Sequence, residues 1–261
     1  MLDIHAGDAA VIVSIPHAGL DIPDDVTGLL SLAVARRDAD FHVHQLYDFA
    51  KQLGATIVRS RISRTVIDVN RDPSGQSLYP GQTTTGLCPQ TTFDGVSLYR
   101  DGAVPEHAEV ARRRSRYFDP YHAALSGQID RLRAHHPAVV LLDAHSIRSH
   151  VPQLFVGELP LFNIGTFDGA SCDPALTDAV VACCADESHV LNGRFKGGWI
   201  TRHYGQPSLG VHALQMELAM RCYLDESGAW PPAWDAARAA GVQKKLHAVV
   251  NACINFAKDR S

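Results

Sequence analysis

In VVLLDAHSIRS, residues 139 to 149, four apolar residues that belong in a core lead directly into Asp143, His145, Ser146 and Arg148. A second strand-like run, AVIVSIP at 10 to 16, is followed at once by His17, Ala18 and Gly19. Two imidazoles delivered by two strand ends can face one point in space, and imidazole is the commonest side-chain ligand of catalytic zinc. Taken singly, each reads rather as a hydrogen-bonded structural histidine. A catalytic zinc takes three protein ligands, often two His and one carboxylate, and keeps a position open. Asp40 is a candidate for the third, because it falls on one helical stripe with Val43, Tyr47 and Ala50 and should point inward. His42 and Asp38 compete for that role, and Asp38 with Asp40 also reads as a pair of charges at a helix N-terminus.

Cations gather at another strand end in SRISRTVIDVNRDPSG, with Arg64 before the apolar run and Asn70 and Arg71 after it. A guanidinium offers a bidentate fork to a carboxylate and an amide can hold a second oxygen, so this pattern predicts a ligand clamp. In GVHALQMELAMRCYL, Glu217 stands inside an apolar run. A glutamate so placed is either a paired core charge or a general base whose pKa burial has raised. Cys88 and Cys172 sit in Gly/Pro-rich segments where a nucleophile is conceivable, with no histidine assignable to either. The sequence holds no G-x-S-x-G elbow, H-E-x-x-H, P-loop or G-x-G-x-x-G motif.

The elements that must position these groups alternate in type. Strand patterns occur at 10 to 16, 55 to 58, 65 to 69, 138 to 145 and 161 to 167, the fourth buried on both faces. Helical spacing links Val43, Leu46, Tyr47, Ala50 and Leu53, then Phe118, Tyr121, Leu125, Ile129 and Leu132, with Asp119-Pro120 expected to kink or restart the second helix. Asp173-Pro174 reads as the cap and first position of a helix to about Asp186, and Val242, Leu246, Val249, Val250 and Cys253 define a last amphipathic helix. This predicts an α/β chain whose helices cover a mostly parallel sheet, where ligands bind at the carboxyl ends of the strands. Residues 70 to 104 and 192 to 210 are rich in Gly, Pro and polar residues and are expected to be functional loops.

With 261 residues and 46% hydrophobic composition, the chain can build one large core, and neither a repeat nor a composition shift marks a second domain; a single domain over 1–261 is expected. A net charge of -4 argues against a nucleic-acid coat or an anionic membrane as partner. Six cysteines without a C-x-x-C pair, an N-terminus lacking a basic leader, and the absence of any long apolar stretch predict a reduced, soluble, cytoplasmic protein. Oligomeric state is left open by the sequence.

The blocks SIPHAG, SRTVIDVNR, SLYPGQTTTGLCPQTTFDG, LYRDG, DAHSIRS, GTFDGASCDP, NGRFKGGWITRHYG and VHALQMELA, spread from about residue 11 to 224, resemble the N-formylglutamate amidohydrolase family. The resemblance implies a three-layer α/β/α fold like that of zinc carboxypeptidases and aspartoacylase, with a mixed, largely parallel sheet. It implies His17 and His145 as ligands of one divalent metal, zinc first among candidates, and Glu217 as general base. The carboxypeptidase pattern H-x-x-E is broken, because residue 20 is Leu20, so the carboxylate ligand must come from elsewhere, with Asp40 the choice. Asn70-Arg71 matches the pair that grips a substrate carboxylate, and Arg64 the arginine that faces the scissile carbonyl. The implied reaction is hydrolysis of N-formyl-L-glutamate to formate and L-glutamate, the last step of a histidine degradation pathway. Such a dicarboxylate would be held by Arg71, Arg148 and Arg202, with His203 beside them. A zinc acylase of other N-acyl amino acids, a carboxypeptidase-like hydrolase and a non-catalytic carboxylate-binding protein are the rival readings.

Overall fold

A computed structural model describes residues 1–81 and 84–260. In chain order the main elements are β1 (Leu2–His5), β2 (Val11–Ile15), α1 (Leu32–Ala35), α2 (Val43–Leu46), β3 (Thr56–Ser60), α3 (His107–Arg113), α4 (Asp119–Arg133), β4 (Val139–Ile147), β5 (Phe162–Gly165), α5 (Pro174–Cys184), β6 (His189–Leu191), α6 (Trp199–Tyr204), β7 (Val211–Ala219) and α7 (Ala236–Lys258). Seven strands form one sheet in the order β1-β3-β2-β4-β7-β5-β6. The pairs β3/β2, β2/β4, β4/β7 and β5/β6 are parallel, while β1/β3 and β5/β7 are antiparallel. The expected α/β chain with a mixed, largely parallel sheet is therefore present.

Every residue of the central strands β2, β4 and β7 is buried, because helices cover both faces. On one face Val140, Leu142 and Ala144 of β4 and Leu214, Met216 and Leu218 of β7 pack with Val43 and Leu46 of α2, Leu176 and Val180 of α5, and Leu246, Val249 and Val250 of α7. On the other, Val139, Leu141 and Ala213 meet Tyr121, Leu125, Ile129 and Leu132 of α4 and Ile200 of α6. The period of two along β4 and β7 thus leaves Asp143 and His145, and Gln215 and Glu217, on the α4/α6 face at the carboxyl half of the strands. The apolar half of each strand fixes the sheet; the polar half above it builds the site.

Local chemistry sets the helix ends. Asp173 accepts from Ala175 N (2.8 Å) with Pro174 at the first position of α5, and Asp235 accepts from Ala237 N and Arg238 N at the head of α7. Arg114–Phe118 form a π-helical turn between α3 and α4, and the α-helix restarts at Asp119, where Pro120 removes a donor.

Two expected elements differ, and the segment 192–210, expected as a loop, carries α6 and a 3-10 turn at Pro207–Leu209. The run at 65 to 69 is a buried turn, not a strand: Val66 N bonds back to Ser63 O (2.9 Å) and Arg71 N to Asp68 O (3.2 Å), while Val66, Ile67 and Val69 are still covered. A five-residue apolar run carries no period that separates a buried turn from a strand. The helix expected over 43 to 53 is a single α-turn, α2, followed by a 3-10 helix at Asp48–Leu53, and Asp40 precedes both. Loop 70–104 is irregular where described; Gln82 and Thr83 lie outside the described residues.

Candidate active site

The site begins two residues beyond β2, after Pro16. His17 is buried beside His145 of β4, with ring centroids 4.8 Å apart. Asp40, also buried, reaches them from the turn before α2, its backbone N donating to His17 O (3.0 Å) and its Oδ2 accepting from Ser146 N (3.1 Å). His17, Asp40 and His145 bring one donor atom each to within 4.8 Å of one another. Structure therefore joins the three side chains that spacing had nominated, although Asp40 arrives from a turn rather than a helical stripe.

Hydrogen bonding at the far side of each ring shows which nitrogen faces inward. His17 Nε2 donates to Asp68 Oδ1 (2.7 Å), and His145 Nε2 donates to Asp143 Oδ2 (2.9 Å). Both Nδ1 atoms are then turned to the centre, each ring oriented by a carboxylate behind it. His145 Nδ1 lies 3.2 Å from Asp40 Oδ2, a contact made attractive either by a proton on the ring or by a metal ion held between the two atoms. Two buried atoms in this cluster, His17 Nδ1 and Asp40 Oδ1, have no hydrogen-bond partner. Such orphans are costly inside a protein. The donor set, two imidazoles and a carboxylate, fits a divalent metal.

Asp68 is the residue the sequence did not single out, since it was counted within the supposed strand at 65 to 69. It accepts from His17 Nε2, from Arg64 Nη2 (2.7 Å) and from Asn70 N (2.9 Å), with Arg71 Nη2 at 3.6 Å. Burial opposes its charge, but Arg71, His17 and Arg64 hold its carboxyl well below the usual carboxylate range. The signal was present as an acid bracketed by Arg64 and Arg71 in a run otherwise apolar. Arg64 is itself buried, 3.6 Å from Asp40 Oδ1 and with its guanidinium carbon 4.9 Å from the Phe93 ring centroid.

Glu217 lies opposite His145 in the β4/β7 register and faces the same cleft. Gln215 Nε2 donates to its Oε2 (3.0 Å). Burial pushes the Glu217 carboxyl up to about 8; Asp40 and Asp143 add to the shift, and His145 and Arg64 oppose it. Asn70 lines the cleft too, but its amide is committed to the scaffold: Nδ2 donates to Asp143 Oδ2 (3.0 Å) and Oδ1 accepts from Ile200 N (2.8 Å). Gly198 makes this possible, since a Cβ there would lie 2.4 Å from Asn70 Nδ2. The structure thus gives Asn70 a positioning place rather than the free carboxylate clamp expected of it.

The cleft is lined by Arg64, Arg71 and Arg194 on its cationic side and by Phe93, Ile147, Leu154 and Phe195 on its apolar side. Arg148 and Arg202, expected to bind substrate, do not line it. Arg148 turns to Asp94 Oδ1 (2.9 Å) and Asp38 Oδ1 (3.4 Å), and Asp38 Oδ2 accepts from Phe93 N (2.7 Å). Arg202 bonds Leu78 O (2.7 Å) and Gly197 O (2.9 Å), and His203 is exposed and stacked on Trp199 with centroids 4.8 Å apart. Long-range partners took these cations, which spacing cannot reveal. Arg194 occupies the cleft instead, and its only sequence signal was a place in the Gly-rich NGRFKGG segment. Cys88 and Cys172 are buried, with burial pushing the Cys88 thiol up to about 11 and the Cys172 thiol above its ordinary value, so neither suits a nucleophile.

Fold and site together define an α/β protein with a His/Asp/His cluster and a cation-lined cleft at the carboxyl ends of its strands. The family model for N-formylglutamate amidohydrolase matches residues 9–224, and the chain belongs to that family. It is 49% identical over 231 residues to an N-formylglutamate deformylase of Pseudomonas putida, covering 87% of this chain and 86% of the relative. It is 44% identical over 264 residues to an N-formylglutamate deformylase of Pseudomonas aeruginosa, covering 100% and 98%. The fold is similar to the crystal structure of N-formylglutamate amidohydrolase from Ralstonia eutropha JMP134, with a TM-score of 0.84 at 23% identity over 100% of this chain and 99% of that one. Among the described residues no helix is long and apolar enough to cross a membrane.

Proposed function

We propose that this chain hydrolyses N-formyl-L-glutamate to formate and L-glutamate, using one divalent metal held by His17, Asp40 and His145. The observation that carries this reading is the buried cluster of His17, Asp40 and His145, whose donor atoms lie within 4.8 Å of one another and in which His17 Nδ1 has no hydrogen-bond partner. The names of the Pseudomonas relatives support the substrate. Zinc is the ion of choice for two imidazoles and a carboxylate, and such an ion supplies Lewis-acid polarisation of a carbonyl and acidification of a water.

The chain's own residues account for the rest. Glu217, with a carboxyl that exchanges its proton near neutral pH, takes a proton from the attacking water and returns it to the leaving amine. Arg64, fixed by Asp68 and walled by Phe93, faces the cleft as a cation for the developing oxyanion. Arg71 holds a substrate carboxylate, its guanidinium aimed by Thr85 O (3.0 Å) and Thr85 Oγ1 (3.1 Å). Asp68 and Asp143 orient the two imidazoles, and Asn70 with Gly198 locks the β4 end against α6. The three layers and the strand-end site support the carboxypeptidase-like affinity of the fold, and the placement in histidine degradation follows from the proposed substrate.

Formate release from N-formyl-L-glutamate by the purified chain, measured before and after exhaustive chelation, tests this function. Turnover that disappears with chelation and returns with zinc is expected. Absence of formate release by zinc-loaded protein, or turnover of N-acetyl amino acids and peptides in preference, would move the chain to one of the rival readings.

A further inference from the structure

Three arginines line the cleft, and their anchors separate them. Arg64 is tied into the metal cluster through Asp68 and Asp40. Arg71 stands one residue further out, 3.6 Å from Asp68, which in turn bonds His17. Arg194 is oriented from the outer loops: its Nε donates to Leu154 O (2.8 Å), and its guanidinium carbon lies 5.4 Å from the Tyr79 ring centroid and 5.5 Å from that of Phe195. Tyr79 is fixed in turn, its hydroxyl donating to Gly197 O (2.9 Å) and accepting from Lys196 N (3.2 Å). Aromatic faces and a backbone carbonyl hold this cation partly buried at the cleft wall, beside the apolar surface of Ile147, Leu154 and Phe195.

Substrate chemistry matches that separation. In an N-formyl amino acid the α-carboxylate sits on the carbon that carries the scissile nitrogen, so its partner must be near the metal cluster. The side-chain carboxylate of glutamate lies two methylenes further away, and methylenes favour apolar walls. We propose that Arg194 reads the side-chain carboxylate and thereby sets the preference for an acidic N-formyl amino acid, while Arg71 takes the α-carboxylate. This deepens the function proposed above and rests on it.

The test compares kcat/KM for N-formyl-L-glutamate, its side-chain amide N-formyl-L-glutamine, and its α-amide N-formyl-L-isoglutamine, in the zinc-loaded wild type and in Arg194→Met, Arg194→Lys and Arg71→Met. Methionine keeps much of the packing against Tyr79 and Phe195 while removing the charge. For Arg194→Met the preference for glutamate over glutamine should fall by about 10- to 100-fold, chiefly through KM, as expected for a lost charge-assisted pair. Arg194→Lys should restore part of it. In Arg71→Met the preference that collapses should be glutamate over isoglutamine. An unchanged glutamate-to-glutamine preference in Arg194→Met, with N-formylglutamate still a substrate of the wild type, overturns this assignment and leaves the function standing. A wild type that turns over none of the three overturns both.

Discussion

Asp68→Asn isolates the part of the site that touches neither the proposed metal nor the substrate. The substitution preserves shape and one acceptor, but it removes the charge that meets His17 Nε2 and Arg64 Nη2 at 2.7 Å each. Whichever way the amide turns, one of those donors, or Asn70 N at 2.9 Å, faces an NH2 group. Loss of a carboxylate behind a metal-binding imidazole typically weakens metal affinity 10- to 100-fold, about 1.4 to 2.7 kcal/mol. A second cost falls on the fold. Breaking a buried ion pair costs roughly 3 to 5 kcal/mol, and the low end applies because Asp40 remains 3.6 Å from Arg64 as a partial counter-charge. Zinc competition against a chromophoric chelator reads the first effect and urea denaturation of the metal-free chain the second. An Asp68→Asn chain with wild-type zinc affinity would refute the view that Asp68 orients His17, whatever its stability.

The remaining predictions concern proton transfer, the carboxylate ligand and acid stability. Glu217→Gln should lower kcat on the order of 100-fold or more, with metal content and KM little changed, because proton transfer matters in the transition state; near-normal kcat in formate-release kinetics would remove Glu217 from that role. Asp40→Asn should weaken zinc binding more than Asp38→Asn in the same competition titration, since Asp38 serves Phe93 N and Arg148 instead; the reverse order would move the ligand to Asp38. His122 is held at about 4 by burial, its Nε2 donating to Val69 O (2.9 Å) and its Nδ1 3.0 Å from the Tyr204 hydroxyl. Its folded pKa lies below the unfolded value of about 6.5, so its contribution is complete above pH 6.5 and is lost as pH falls toward 4, by about 2 kcal/mol between pH 7 and 5. His122→Gln should therefore lose less stability over that interval than wild type in urea titrations, and parallel losses would contradict the assignment.

What the sequence made legible was residue type at strand ends. His17 and His145 follow apolar runs whose burial is unambiguous, and a covered strand can deliver a side chain in only two directions, so their convergence was readable. Asp40 was found for the wrong reason. Its inward direction comes from a turn pinned to His17 O and Ser146 N, contacts across more than 20 residues that a helical stripe imitates. The strand character of VHALQMELA escaped notice, although Glu217 within it was singled out, because an apolar run buried on both faces shows no alternation. Cations were read least well. The local sequence around Arg148, Arg202 and Arg194 does not say which of them reaches the cleft, and what separates them is the distant acceptor each meets: Asp94, Leu78 O and Leu154 O.

The central claim is that His17, Asp40 and His145 hold one divalent ion without which the chain does no chemistry. Metal content and formate release should be measured on the same samples of wild type, His17→Ala and His145→Ala as zinc is withdrawn and restored. Turnover that tracks bound zinc in the wild type to a stoichiometric end point, with both variants folded but lacking metal and activity, is the predicted result. Undiminished formate release from metal-free wild type, or full metal content in either variant, would contradict it.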